Sequence, residues 1–226
     1  MAERNKRRIP ANEKETANTG NLAGVGENDK RPQMSGGAGS AGSSPVVLDP
    51  NTSASQPQNT PMTSGPAVQL FADELTKMLY TENVLLKMLR VQAEQAGDAD
   101  LHDQLERHRQ QTEHQVARLK DALHELGKSS EQIACHVADA FVRDTNEAVN
   151  RLGSDLRVPI YVAANIRVEH FELGAYDSLI EMAKKIGQIS IAANLKNSRD
   201  EEEAQLVRLM RFSTTIDPRK LIEKAA

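Results

Sequence analysis

From Ala67 onward, apolar residues return at intervals of three and four, the period of an amphipathic helix, and no stretch alternates as a half-buried strand does. A first helix is predicted over 67–95, with Leu75, Met78, Leu79, Leu85, Leu86 and Leu89 forming one stripe that ends before Gly97-Asp98. A second, over 100–126, carries Leu101, Leu105, Val116, Leu119, Leu123 and Leu126 and stops at Gly127. Ser129-Ser130-Glu131-Gln132 reads as a capping box opening a third helix over 130–152, with Ile133, Val137, Phe141, Ala148 and Leu152 on one side and Gly153 after it. Pro159 suits the first turn of a fourth helix, whose stripe runs through Val168, Ala175, Leu179 and Met182 to Gly187. A fifth, over 189–213, carries Ile191, Ala192, Leu195, Leu206, Leu209 and Met210, with Asp217-Pro218 beyond it. The pattern predicts an all-α fold.

Several acids interrupt these stripes. Glu82 lies four after Met78, three after Leu79, three before Leu85 and four before Leu86, so a helix must project it from the middle of its apolar face. Glu172 is four after Val168 and three before Ala175, with Glu169 one turn earlier. Glu202 is seven after Leu195 and four before Leu206, and Asp144 is three after Phe141 and four before Ala148. An isolated ionised carboxylate in a bundle core costs several kcal/mol, so a group of them needs a shared counter-charge. A pair of metal ions is an economical one, because carboxylates bridge two ions and facing helices bring side chains to one level. Ion pairs with Arg118, Arg167 or Arg199, or a helix face turned to solvent, would account for any single acid.

Spacing along the chain favours the shared explanation. With Gly97 at the turn of one helical hairpin, Glu82 is 15 residues before it and Glu113 is 16 after; with Gly187 at the turn of another, Glu172 and Glu202 are each 15 away. At 1.5 Å per residue all four sit about 22–24 Å from their turns. Two hairpins joined through the third helix would thus form an internally duplicated four-helix metal bundle.

Composition divides the chain near residue 66. Before it lie eight of the 13 glycines, seven of the nine prolines and no aromatic residue, so 1–66 is expected to be a disordered low-complexity tail. The bundle is expected over 67–214 and a short C-terminal tail over 215–226. No apolar run reaches the ~18 residues of a membrane span and the first 30 residues have no apolar signal core, so the expected location is the cytoplasm, without membrane contact. Cys135 is the single cysteine, which excludes an intrachain disulfide and a cysteine-based zinc site. A net charge of −4, with seven basic against six acidic residues in the tail, argues against nucleic acid as a partner.

The residues that carry these features resemble the ferritin-like superfamily and, within it, the YciE/YciF-type stress-associated proteins. Tyr80-Thr81-Glu82-Asn83 is similar to that family's first-helix segment, and Thr112-Glu113-His114-Gln115-Val116 with Arg118-Leu119 to its Glu-Thr-x-x-Gln-Val-x-Arg-Leu stretch. Cys135 to Glu147 matches a third segment loosely, and Val168-Glu169-His170-Phe171-Glu172-Leu173-Gly174-Ala175-Tyr176 is close to its Glu-His-Tyr-Glu-Ile-x-x-Tyr signature. The chain departs from di-iron members of the superfamily in having no Glu-x-x-His. The resemblance implies a ferritin-like antiparallel four-helix bundle with an additional connecting helix, usually dimeric. It also implies a non-haem di-iron centre (two Fe per chain) or a di-manganese one, and ferroxidase-like or peroxide-related chemistry with oxygen or hydrogen peroxide as co-substrate in a stress response. The candidate metal ligands are Glu82, Glu113, Asp144, Glu169, Glu172 and Glu202. His108, three after Leu105 on the apolar side of the second helix, is either a core histidine, the preferred reading, or an unusual ligand; His170 either orients a carboxylate from outside the ligand set or contacts a partner, and Tyr80 and Tyr176 are read as packing residues in preference to a redox role. Two other classes of function remain: a metal-free bundle serving as a structural or partner-binding module, and a DNA-coating protein that uses its tail in the manner of mini-ferritins.

Overall fold

The computed structural model describes residues 60–217. The tail expected before residue 60 and the last residues of the C-terminal tail lie outside them. Five α-helices follow in order: α1 Pro66–Gln95, α2 Ala99–Glu125, α3 His136–Leu152, α4 Arg157–Lys185 and α5 Ile189–Ser213, with one 3-10 turn, Ser154–Leu156, leading into α4. No strand occurs among the described residues.

The helix ends follow local chemistry. Pro66 opens α1, and Asp98 caps α2 by accepting the Leu101 N–H at 3.0 Å. Gly127 and Gly187 have φ of 63° and 79°, and each closes a helix with paired bonds back to the last turn: Gly127 N–H to His124 O and Lys128 N–H to Leu123 O, Gly187 N–H to Lys184 O and Gln188 N–H to Ala183 O. Glycine takes this left-handed geometry without Cβ strain, which is why the chain reverses at these points.

The expected start of α3 is corrected. Ser129 Oγ accepts the Glu131 N–H at 3.0 Å, a local turn that competes with a capping box, and helix begins only at His136. The buried face of α3 is Ala138 and Thr145, flanked by half-buried Phe141, Val142 and Val149, whereas Ile133, Val137 and Leu152 are exposed. Met62, placed in the tail by composition, donates its N–H to Ile186 O at 2.8 Å and accepts from Gln188 Nε2.

α1 pairs with α2 and α4 with α5 as two antiparallel hairpins; α2 faces α5, α1 faces α4, and α3 lies across α1 and α4. The interior is layered. One apolar cluster takes Val68 to Leu79, Val116 to Leu126, Tyr176 to Ile186 and Ile191 to Leu195; the other takes Leu89 to Ala96, Leu101, Leu105, Tyr161, Val162 and Leu209. Between them lie buried polar residues from all four bundle helices, beside a smaller apolar group of Leu85, Met88 and Val168. Leu79 is fully buried in the first cluster, and Leu79→Ala is expected to destabilise the protein by about 2–5 kcal/mol in denaturant unfolding.

Candidate metal centre

The polar layer is built from one to three residues per helix. α1 supplies Glu82, α2 His108, Thr112 and Gln115, α4 Glu169 and Glu172, and α5 Glu202 and Gln205, all buried. Each lies on its helix's core stripe, so the apolar packing above and below forces these side chains inward. His108 Nε2 stands 3.2 Å from Glu169 Oε1 and 3.5 Å from Glu202 Oε2. One ligand atom from each of His108, Glu169, Glu172 and Glu202 falls within 4.8 Å of all the others. The Tyr176 hydroxyl donates to Glu82 Oε1, and Gln115 Nε2 donates to Glu202 Oε1. The other six of the eight carboxylate oxygens of Glu82, Glu169, Glu172 and Glu202 are buried and accept no hydrogen bond, and His108 Nδ1 is likewise unpartnered.

Burial dominates the electrostatics. It raises the Glu82 carboxyl to about 8, with the Glu202 charge adding to the effect and the Tyr176 hydrogen bond and His108 opposing it. Burial raises Glu169 to about 8 as well. Glu172 is held well above the ordinary carboxylate range by burial and then by Glu82, Glu202 and Glu169; Glu202 is also held high by burial, against the pull of His108. Tyr176 is raised by burial and then by Glu82 and Glu202. Protein groups therefore leave four desolvated acids that ionise only at a cost, relieved in part by His108 and by a contact between Glu169 and Glu202, and a multivalent cation removes that cost. Four carboxylates and an imidazole are a hard-to-borderline donor set that suits divalent first-row transition metals, and the six oxygens that accept no hydrogen bond fit that role. The cluster can hold a metal ion.

Of the six acids expected to point inward, Glu82, Glu169, Glu172 and Glu202 line the layer, and two do not. Glu113 is half-exposed and paired with Arg109 at 2.5 Å, and Asp144 is exposed on α3. Glu113 follows buried Thr112 by one residue, which turns it by 100° off the core face. The inward positions of α2 are Leu101, Leu105, His108, Thr112, Gln115, Leu119 and Ala122, a strict three-four repeat, and that repeat was the signal by which His108 and Gln115 could have been found. His170 is exposed rather than directed at the acids. Tyr176 is not merely packing, since it binds Glu82, and Tyr80 donates to Asp139 on α3 at 2.8 Å. Arg118 and Arg199 pair with Glu201 and with Asp177 and Glu203 rather than with the buried acids, and the half-buried Arg208 adds a favourable charge toward Glu169 and Glu202 from beyond ion-pair distance. Glu113→Ala and Asp144→Ala are accordingly expected to leave metal content unchanged within error when purified proteins are analysed for metals.

No helix among the described residues is long and apolar enough to cross a membrane. The chain is 23% identical to Protein YciF of Escherichia coli (strain K12) over 142 residues, which are 62% of this chain and 86% of that protein. Among solved structures, YcfI from Rhodopseudomonas palustris aligns with a TM-score of 0.62 at 27% identity, covering 64% of this chain and 93% of the other. The E. coli stress protein YciF aligns at 0.60 and 21%, covering 67% and 96%, and a Xanthomonas campestris pv. campestris protein at 0.56 and 19%, covering 71% and 99%. Those last two likenesses are of fold. A family model described as a domain of unknown function, DUF892, matches residues 67–221, and the chain belongs to that family.

Proposed function

We propose that this protein is a carboxylate-bridged non-haem metal protein binding two iron ions per chain, with manganese as the alternative occupant, and that it handles oxygen or peroxide in a ferroxidase-like stress role. The observation that supports this most is the set of six buried carboxylate oxygens without a hydrogen bond, gathered around His108 between two apolar clusters. Glu82, His108, Glu169, Glu172 and Glu202 would hold the metals. Bound iron supplies one-electron exchange with oxygen or peroxide at neutral pH.

The chain's own residues prepare the layer for that chemistry. Leu75, Leu79, Leu119 and Leu195 on one side and Leu89, Leu101, Leu105 and Leu209 on the other keep bulk water out, which strengthens every charge interaction between them. Tyr176 keeps its proton directed at Glu82 Oε1, and Gln115 holds Glu202 Oε1. The resemblance to YciE/YciF-type proteins supports a stress role, a homodimer and a cytoplasmic location as parts of the same proposal.

Elemental analysis of aerobically purified protein beside Glu172→Ala tests the reading. About two transition-metal ions per chain in the wild type, lost in the variant, is the expected result for a centre of this type. Background metal in both proteins, persisting after anaerobic Fe(II) addition and desalting, would mean a metal-free bundle whose role is structural or partner-binding.

A further inference from the structure

A chain of polar contacts runs from the α2–α5 surface to the buried acids. Arg118, about a quarter exposed, grips Glu201 with both arms of its guanidinium, Nη1 to Oε2 at 2.7 Å and Nη2 to Oε1 at 2.8 Å, and Nη1 also reaches Ser198 Oγ at 3.1 Å. Glu201 Oε2 in turn accepts from Gln115 Nε2 at 3.1 Å. Gln115, fully buried, gives the same amide nitrogen to Glu202 Oε1. Glu201, paired with Arg118, is a carboxylate that only accepts, which turns the N–H side of the amide toward the two acids, and both N–H bonds are committed. Glu202 Oε2 is left on the His108 side, 3.5 Å from Nε2.

From this geometry we infer that Gln115, pinned by the Arg118–Glu201 pair, is a positioning residue for the metal centre. It ties up one oxygen of Glu202, so that Glu202 offers a single oxygen toward His108. The inference rests on the metal-binding reading above. Gln115 and Arg118 belong to the Gln-Val-x-Arg-Leu segment of α2, whose two polar members otherwise have no part in the site. The arrangement holds a ligating carboxylate by a hydrogen bond from outside the ligand set, and such partners typically change metal affinity when lost. The doubly paired Arg118 adds a rigid end to the chain, since a planar fork on a carboxylate fixes direction as well as distance.

The test is anaerobic titration of metal-free full-length protein with Co(II), read by the visible ligand-field spectrum and by competition with a chromophoric chelator, for wild type, Gln115→Met, Arg118→Leu, Arg118→Lys and the Gln115→Met/Arg118→Leu double variant. Gln115→Met is expected to weaken Co(II) binding by about 10–100-fold and to change the band shape. Arg118→Leu should weaken it less and Arg118→Lys least, because a lysine keeps the charge and loses the fork. The double variant should be no weaker than Gln115→Met alone, since Arg118 acts only through Glu201 and Gln115. Thermal melting of the metal-free proteins separates positioning from folding, and Arg118, being partly exposed, keeps the test informative if Gln115→Met folds poorly. Wild-type binding with unchanged affinity and spectrum in Gln115→Met and Arg118→Leu overturns this inference alone. No Co(II) binding by the wild type overturns the metal reading and this inference with it.

Discussion

Adding Mn(II) anaerobically to the metal-free protein at pH 8, at roughly 1,000 times its dissociation constant, is expected to raise Tm by about 8–16 °C. A ligand at that excess that binds only the folded state stabilises by about 4 kcal/mol, and in a domain of ~150–250 residues each kcal/mol moves Tm by about 2–4 °C. The gain is expected to be large because the unloaded layer is unfavourable: Glu82, Glu169, Glu172 and Glu202 are buried with six oxygens that accept no hydrogen bond. At pH 5 the same addition should give a much smaller shift, since protons compete for carboxyls whose affinity for them is raised. Differential scanning fluorimetry at the two pH values checks this, and a Tm indifferent to Mn(II), Fe(II) and Co(II) at pH 8 would count against the metal centre.

The second large effect concerns the metal-free protein itself. Glu82 and Glu169 have folded-state values of about 8 against 4.5 for the free group, and Glu172 and Glu202 are also raised. A carboxyl whose folded value is raised contributes stability that is fully present below about pH 4.5 and is lost as the pH climbs through about 8. Stability of the metal-free wild type should therefore fall across that window, the reverse of the usual pattern in which carboxylates are stabilised by ion pairs. Glu172→Gln keeps the shape and removes one ionisation, so at pH 8 it should make the metal-free protein more stable by about 1–4 kcal/mol while abolishing most of the gain from Mn(II). Urea unfolding of both proteins at several pH values between 4.5 and 8.5 measures this; parallel curves would show that ionisation of the layer does not govern stability. A variant that gains stability as it loses metal binding is the signature of acids retained for a site rather than for the fold.

Much of the architecture was legible in the chain. The three-four periodicity and the glycines at 97, 127, 153 and 187 place α1, α2, α4, α5 and the end of α3 to within a residue or two, and α5 runs over the predicted 189–213. The start of α3 was missed because Ser129 satisfies the Glu131 N–H locally, a contact of the same chemistry as a cap but without a following helix. The outward side of α3 was misassigned because a short helix lying across two others buries a narrow strip, Ala138 and Thr145, that composition does not mark as apolar.

The inward position of Glu82, Glu169, Glu172 and Glu202 also follows from the sequence, because each shares a helix face with apolar residues three, four or seven positions away that must pack. What the sequence could not supply was the comparison between helices. Counting residues from the turns gave a common height, and height says nothing about rotation: Glu113 stands at the right level and faces solvent, while His108, lower on the same helix, reaches Glu169 and Glu202. One residue is a third of a turn, enough to exchange a ligand position for a surface one. Which side chains meet is decided by how α2 rolls against α5 when Leu101, Leu105, Leu119 and Leu195 bury themselves, and only that packing could hand Glu202 to Gln115 and Glu82 to Tyr176. The chain by itself determined that acids would be buried in a helical bundle; the tertiary packing decided which of them converge, because convergence depends on helix rotation set by contacts far apart in sequence.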